Sequence, residues 1–155
     1  MSSFFPKYFW PIGPPPVFTE KTLETALVYM MCNDEDISAI VGVKVFPVII
    51  SRSALLPVIT YQLIDSDYDY TLDGSINLVR CRYQLNCWAV TYKVARQLGN
   101  AVKALFDAYS GTVLDIPIRR IEIADESDMV EPPELEALKR FGKRVDLMVW
   151  YHEQI

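Results

Sequence analysis

The 155 residues carry a formal charge of −5 and are 51% apolar and 23% charged, which excludes wholesale disorder and predicts one domain around one core. A net acidic balance argues against a surface built to hold a nucleic-acid backbone, while leaving room for nucleic acid that passes without sticking. No run of about 18 apolar residues exists to span a membrane, and the opening MSSFFPKYFWPIGPPPVF lacks the basic lead and unbroken apolar core of a signal peptide.

That opening, residues 1–18, holds five prolines and six aromatic residues: Phe4, Phe5, Tyr8, Phe9, Trp10 and Phe18. Its prolines exclude a regular helix or a central strand. Disordered leads are usually poor in aromatics, so the segment reads as a docking arm lying on this domain or on a neighbour. The domain proper is expected over residues 19–155.

Thr19 is placed to cap a helix from Glu20 to about Met31, with Leu23, Ala26, Leu27 and Met30 as its buried stripe. NDEDISAIVG predicts a turn and a short helix stopped at Gly42. VKVFPV is a short strand that Pro47 puts near an edge, SRSALLP a loop, and VITYQLI a second strand showing Ile59, Tyr61 and Leu63 on one face.

The run DSDYDYTLDG, Asp65 to Gly74, places acids at alternate positions. A calcium loop starting at Asp65 would need glycine at its sixth position and a bidentate acid at its twelfth; Tyr70 and Ile76 stand there. The run reads instead as the loop of a long hairpin, with Asp73-Gly74 suiting turn chemistry. It is either a plain hydrated tip or one whose Tyr68 and Tyr70 anchor a partner.

NLVRCRYQLNCWAV alternates Val79, Cys81, Tyr83, Leu85 and Cys87 with Arg80, Arg82, Gln84 and Asn86, a strand with one apolar and one wet face. A second main helix follows, capped by Thr91 and ending near Tyr109, with Ala95, Leu98, Val102, Leu105 and Tyr109 as its core stripe. In IPIRRIEIA the isoleucines fall out of phase around Arg119 and Arg120, which predicts a bulge. The acidic stretch DESDMVEPPELEA reads as a connection rich in turn residues. KRVDLMVWYHE closes the chain as a strand with Val145, Leu147, Val149 and Tyr151 on one side. The expected fold is α+β, a single domain with a mainly antiparallel sheet and two main helices packed on one face.

Chemistry is hard to find in this order. Cys81 and Cys87 would lie about 20 Å apart on one strand face, too far for a disulfide, and with Cys32 they fit no zinc spacing. Free thiols point to a reducing cytoplasm during assembly. The single histidine, His152, supports neither a Cys–His nor a Ser–His–Asp arrangement, and no glycine-rich phosphate loop is present. Arg80, Arg82, Arg119, Arg120, Arg140 and Arg144 are interrupted by acids such as Glu122 and Asp146, so they predict a mixed polar sheet face rather than a basic patch. No catalytic residue, cofactor or metal site is expected.

Several segments, in order, resemble a known family. LETALVYMMCNDEDISAIVGVKVFPVII is similar to its opening helix, short helix and first strand, LPVITYQLI to its second strand, and DLMVWYHE to its closing strand. The closest likeness is YTLDGSINLVRCRYQLNCWAVTYKVARQLGNAVKALFDAYSGTV: a Leu-Asp-Gly hairpin, a strand ending in Cys-Trp-Ala, and a helix closed by Ser-Gly. The family is the tail-completion, or tail terminator, proteins of long-tailed bacteriophages.

The resemblance covers roughly Thr19 to Glu153. It implies a hexameric ring on the last ring of the tail tube, which stops tube growth and presents the surface that joins the head or neck. The implied partners are further copies of the chain, the tail tube protein and a neck or stopper protein, with DNA passing through the channel, in a virion assembled in the host cytoplasm. Three stretches suit the heterologous contacts of such a ring: the arm residues Phe4, Phe5, Tyr8, Phe9, Trp10 and Phe18; the hairpin residues Asp65, Asp67, Tyr68, Asp69, Tyr70 and Asp73; and the wet face at Arg80, Arg82, Gln84 and Asn86. The alternatives are a head-completion (stopper or adaptor) ring of the same connector and a small-ligand binding module. The aromatic arm and the length of the connection after Ala124 depart from the family pattern.

Overall fold

The computed structural model of the chain describes residues 21–48, 55–72, 74–131 and 140–153. The chain opens on helix α1 (Leu23–Asn33) and helix α2 (Glu35–Val41), followed by strands β1 (Val45–Pro47), β2 (Val58–Thr71) and β3 (Gly74–Ala89). Helix α3 (Tyr92–Phe106) then leads to β4 (Gly111–Val113), β5 (Ile116–Glu131) and β6 (Arg140–His152). The six strands form one sheet in the order β1-β2-β3-β6-β5-β4. Only β1 and β2 are parallel; the other pairings are antiparallel. The expected α+β domain with a mainly antiparallel sheet is what the chain forms.

Local chemistry accounts for the helix ends. The Thr22 hydroxyl accepts from the Thr25 N–H at 3.2 Å and opens α1, so the cap lies three residues beyond Thr19, which falls outside the described residues. Leu23, Ala26, Leu27 and Met30 are buried as the stripe predicts, and Met31 joins them. Asp34 caps α2 by accepting from the Ile37 N–H at 3.0 Å. Gly42, at φ +64°, ends it where an L side chain is strained.

Thr91 caps α3 as expected, accepting from Val94 at 3.3 Å. The helix stops at Phe106 rather than near Tyr109, and its buried stripe is Ala95, Leu98, Gly99, Val102 and Phe106. Phe106 replaces Leu105 and Tyr109, which are only partly buried, because the helix ends before Tyr109 can continue the stripe.

The core lies between the helices and one sheet face. Ile59, Cys81, Tyr83, Leu85, Cys87, Ile118, Ile121, Val145, Leu147 and Val149 meet α1, α2 and α3 there. The expected bulge falls between Ile118 and Arg120; it brings Ile118 and Ile121 to the same buried side.

Three strand expectations need correction. The short strand β4 was not anticipated. The acidic run after Leu63 is not a loop: β2 continues through it to Thr71, paired with β3 as far as Gly74. Likewise DESDMVE is not a connection, because β5 runs on to Glu131 opposite Arg140. Cross-strand cations accompany both extensions.

Candidate assembly surface

Residues paired across an antiparallel ladder share a face, so the register lays out the side of the sheet turned away from the helices. Across β2, β3, β6 and β5 it reads, row by row: Asp67, Arg80, Trp150, Arg120; then Asp65, Arg82, Met148, Glu122; then Gln62, Gln84, Asp146, Asp125; then Thr60, Asn86, Arg144, Ser127. A last row joins Val58, Trp88, Gly142 and Met129. Acids and arginines are interspersed over its first four rows, and the last row is uncharged.

The arginines are committed to carboxylates. Arg80 donates to Asp67 and Arg120 to Glu122. Arg82 donates to Asp146 Oδ2 from Nη2 at 2.7 Å and from Nε at 3.1 Å. Arg144 donates from Nη2 to Asp125 at 2.8 Å.

Asp146 is only 3% exposed, and its Oδ1 stands 3.6 Å from Arg144 Nε. That gap exceeds a hydrogen bond, leaving both buried atoms without a partner. Gln84 donates to Asn86 at 3.1 Å. Beyond them the Trp88 indole packs so closely over Gly142 that a Cβ there would come within 2.8 Å of it, while the Arg140 guanidinium lies 5.8 Å from the same ring.

The opposite face of the β5–β6 arm is tied to α3 by a second charged group. Lys103 donates to both oxygens of Glu126 at 3.0 Å. Lys143 reaches Asp128 at 3.1 Å and Glu126 at 3.5 Å, and the Tyr92 hydroxyl donates to Asp128 at 3.1 Å. The stem of Lys143 crosses Gly99, where a Cβ would sit 2.5 Å from its Cγ. Hydrogen bonding from Lys103 holds the Glu126 carboxyl below its usual range, and Lys143 does the same for Asp128. The acids of DESDMVE are thus strand residues because cations far away in sequence sit beside them.

Of the residues singled out from sequence, the structure brings Asp65, Asp67, Arg80, Arg82, Gln84 and Asn86 together on one face. Tyr68 opposes Val79 and belongs to the other face. Asp69 joins Asp67, Tyr68, Leu78, Arg80 and Trp150 around a concavity of about 430 Å³. Tyr70 continues the strand; the arm residues 4–18 and Asp73 lie outside the described residues. Asp125 and Trp150 were missed as members of this face, whereas Arg144 and Asp146 are among the residues that the sequence assigned to a mixed polar sheet face. The signal was available, since Arg144, Asp146, Met148 and Trp150 alternate with the buried positions of the last strand.

The remaining reactive groups are quiet. Burial pushes the Cys32 thiol up to about 11 and those of Cys81 and Cys87 up to about 12. His152 Nε2 lies 3.4 Å from Arg119, a cation rather than an acid or nucleophile. Among the described residues, no group of three or more His, Cys, Asp or Glu is placed to hold a metal ion, and no helix is long and apolar enough to cross a membrane.

A broad polar sheet face, self-paired in its charges, is carried on the two long strand pairs β2–β3 and β5–β6. The sequence profile of the family described as tail completion protein gp17 matches residues 25–152, and the chain belongs to that family. It is a tail-related structural protein. No curated protein matches the chain. Among solved structures, a chain from the virion of a native gene transfer agent particle is similar at a TM-score of 0.62 with 12% identity, covering 84% of this chain and 95% of that one. At that identity the likeness speaks for the fold alone.

Proposed function

We propose that the chain closes, as a hexameric ring, on the end of a tail tube, stops its polymerisation and offers the surface that joins the head or neck. Family membership over residues 25–152 is the observation that carries this reading. The partners are further copies of the chain, the tube protein and a neck or stopper protein. The interface draws on the aromatic arm, the β2–β3 hairpin and the polar sheet face, and the work is done by shape rather than catalysis.

If the polar face lines the channel, DNA meets guanidiniums already occupied by Asp67, Glu122, Asp125 and Asp146. A phosphate would have to break such a pair to be held, so transit stays free of tight binding. The pairing supports a lumen that is neutralised locally, a more specific reason than net acidity.

Electron microscopy of particles lacking this protein tests the assignment. Over-long tails, or finished tails without heads, are the expected outcome. Tails of normal length together with filled heads that leak DNA would assign it to the stopper position instead.

A further inference from the structure

β1 covers β2 only opposite Ile59, Thr60 and Tyr61, with the Val48 N–H donating to the Tyr61 carbonyl. From Gln62 to Thr71, β2 pairs with β3 on its inner side, and among the described residues no strand pairs with its outer side. Such a row of backbone donors and acceptors is a template for an added strand. β5 has a comparable open side only beyond Ile121, whose N–H donates to the Tyr109 carbonyl and whose carbonyl accepts from the Ala108 N–H.

Charge separates the two edges. The β5 acids Glu122, Asp125, Glu126 and Asp128 each hold a cation of their own domain. On β2, Arg80 bonds Asp67 and is the cation that Asp65 and Asp69 act on through space, while Arg82 is committed to Asp146. Three carboxylates therefore share one guanidinium. The same edge exposes Leu63 by 48%, Ile64 by 46% and Tyr68 by 44%. Leu63 and Tyr68 share the face of Tyr83 and Val79, opposite to that of Asp65 and Asp67.

We propose that the outer edge of β2, Gln62 to Tyr70, receives a strand from a partner protein whose side chains alternate Lys or Arg with apolar residues. The cations lie beside Asp65 and Asp67 on one face, and the apolar side chains cover Leu63 and Tyr68 on the other. The β5 edge of a second copy is a poor occupant, because its Arg120 is already bound to Glu122 and its acids bring no positive charge to Asp65 and Asp67. The proposal rests on the assembly reading for its partner, a neighbour in the tail, yet the edge itself is tested without a ring.

Hydrogen–deuterium exchange on the full chain, with a synthetic peptide alternating Lys and Val as probe, reads the edge directly. Outward amides of Gln62–Thr71 are expected to exchange quickly in the free chain and to slow with the peptide, while a Glu–Val peptide leaves them fast. Asp65→Lys combined with Asp69→Lys is expected to weaken the Lys–Val peptide roughly tenfold. The Asp65→Asn, Asp69→Asn pair gives a smaller loss and serves if the lysine variant does not fold. The proposal is overturned by slow exchange in the free chain, by protection that rises with the concentration of the chain itself, or by equal protection from the Glu–Val peptide. A peptide that binds to a chain which never forms a ring sinks the ring alone; a ring whose β2 edge ignores the peptide sinks this inference alone.

Discussion

Asp146 is the residue whose environment is least forgiving. Its carboxylate is nearly out of solvent in the middle of the polar face, and Arg82 supplies the two hydrogen bonds that compensate it. Removing the cation strands a buried charge, which costs more than the pair contributes when intact. We expect Arg82→Ala to lower stability by about 2–4 kcal/mol in urea denaturation. The double change Arg82→Met with Asp146→Leu is expected to lose less than Arg82→Ala alone, since it removes both charges together.

The buried thiols add a pH dependence of defined sign. In the unfolded chain Cys87 titrates near its ordinary value of 9.0, whereas burial pushes it up to about 12 in the fold. The folded state therefore keeps a proton that the unfolded state loses, so the stability from this group is complete below about pH 9 and declines between about 9 and 12. The slope approaches about 1.4 kcal/mol per pH unit for Cys87, with Cys81 and Cys32 acting in the same direction. Melting temperatures taken between about pH 8 and 11 check this, and Cys87→Ala should flatten the decline. A melting temperature that holds steady across that range would contradict the assignment.

At the scale of elements, the alternating strand after Asn77, the three helices and the bulge before Arg120 were legible because apolar periodicity and caps are written locally. The distal halves of β2 and β5 were not. Asp and Glu are depleted in strands, and register shifts at Leu63/Asp65 and Ile123/Asp125 break the two-residue period where the acids begin. What keeps those segments extended is opposite charge on neighbouring strands and on α3, from Arg80, Lys103, Lys143 and Arg144. Such partners cannot be seen in a local window. The members of the polar face on β3, and Arg120, Glu122, Arg144 and Asp146 on β5 and β6, were legible as a mixed polar face, whereas Asp125 and Trp150 needed the register to be assembled.

The turn between β4 and β5 was missed for a related reason. Val113 pairs with Ile116, and both intervening residues, Leu114 and Asp115, have positive φ, 50° and 68°. This is the two-residue hairpin pattern that favours Asn-Gly, filled here by a pair that gives no such signal. Asp115→Gly is expected to raise stability by about 0.5 kcal/mol by relieving the left-handed strain. The exposed Asp115–Lys21 pair given up in exchange contributes little. Thermal or urea denaturation measures the change, and a loss of stability would mean that the pair outweighs the strain.

For the molecule as a whole, two long hairpins extend a charged sheet beyond a core packed on three helices, leaving surfaces suited to neighbours. The self-paired arginines predict negligible retention of double-stranded DNA at about 0.15 M salt. Asp67→Asn with Asp125→Asn removes the carboxylates that hydrogen-bond Arg80 and Arg144, while Asp65, Asp69 and Asp146 stay nearby. It is expected to create measurable binding whose logarithmic salt slope steepens by about two, read by electrophoretic mobility over a salt series. Tight, salt-sensitive binding by the unaltered protein would remove the argument for free passage.

The central claim is that this chain acts as a shaped cap on a tube end. Its most direct measurement is the length of tubes, by electron microscopy, when the tube protein polymerises with and without the purified chain. The expected result is a ring of added density at one end of each tube and growth halted there. Tubes that grow to the same lengths with bare ends, at saturating amounts of the chain, would contradict the account.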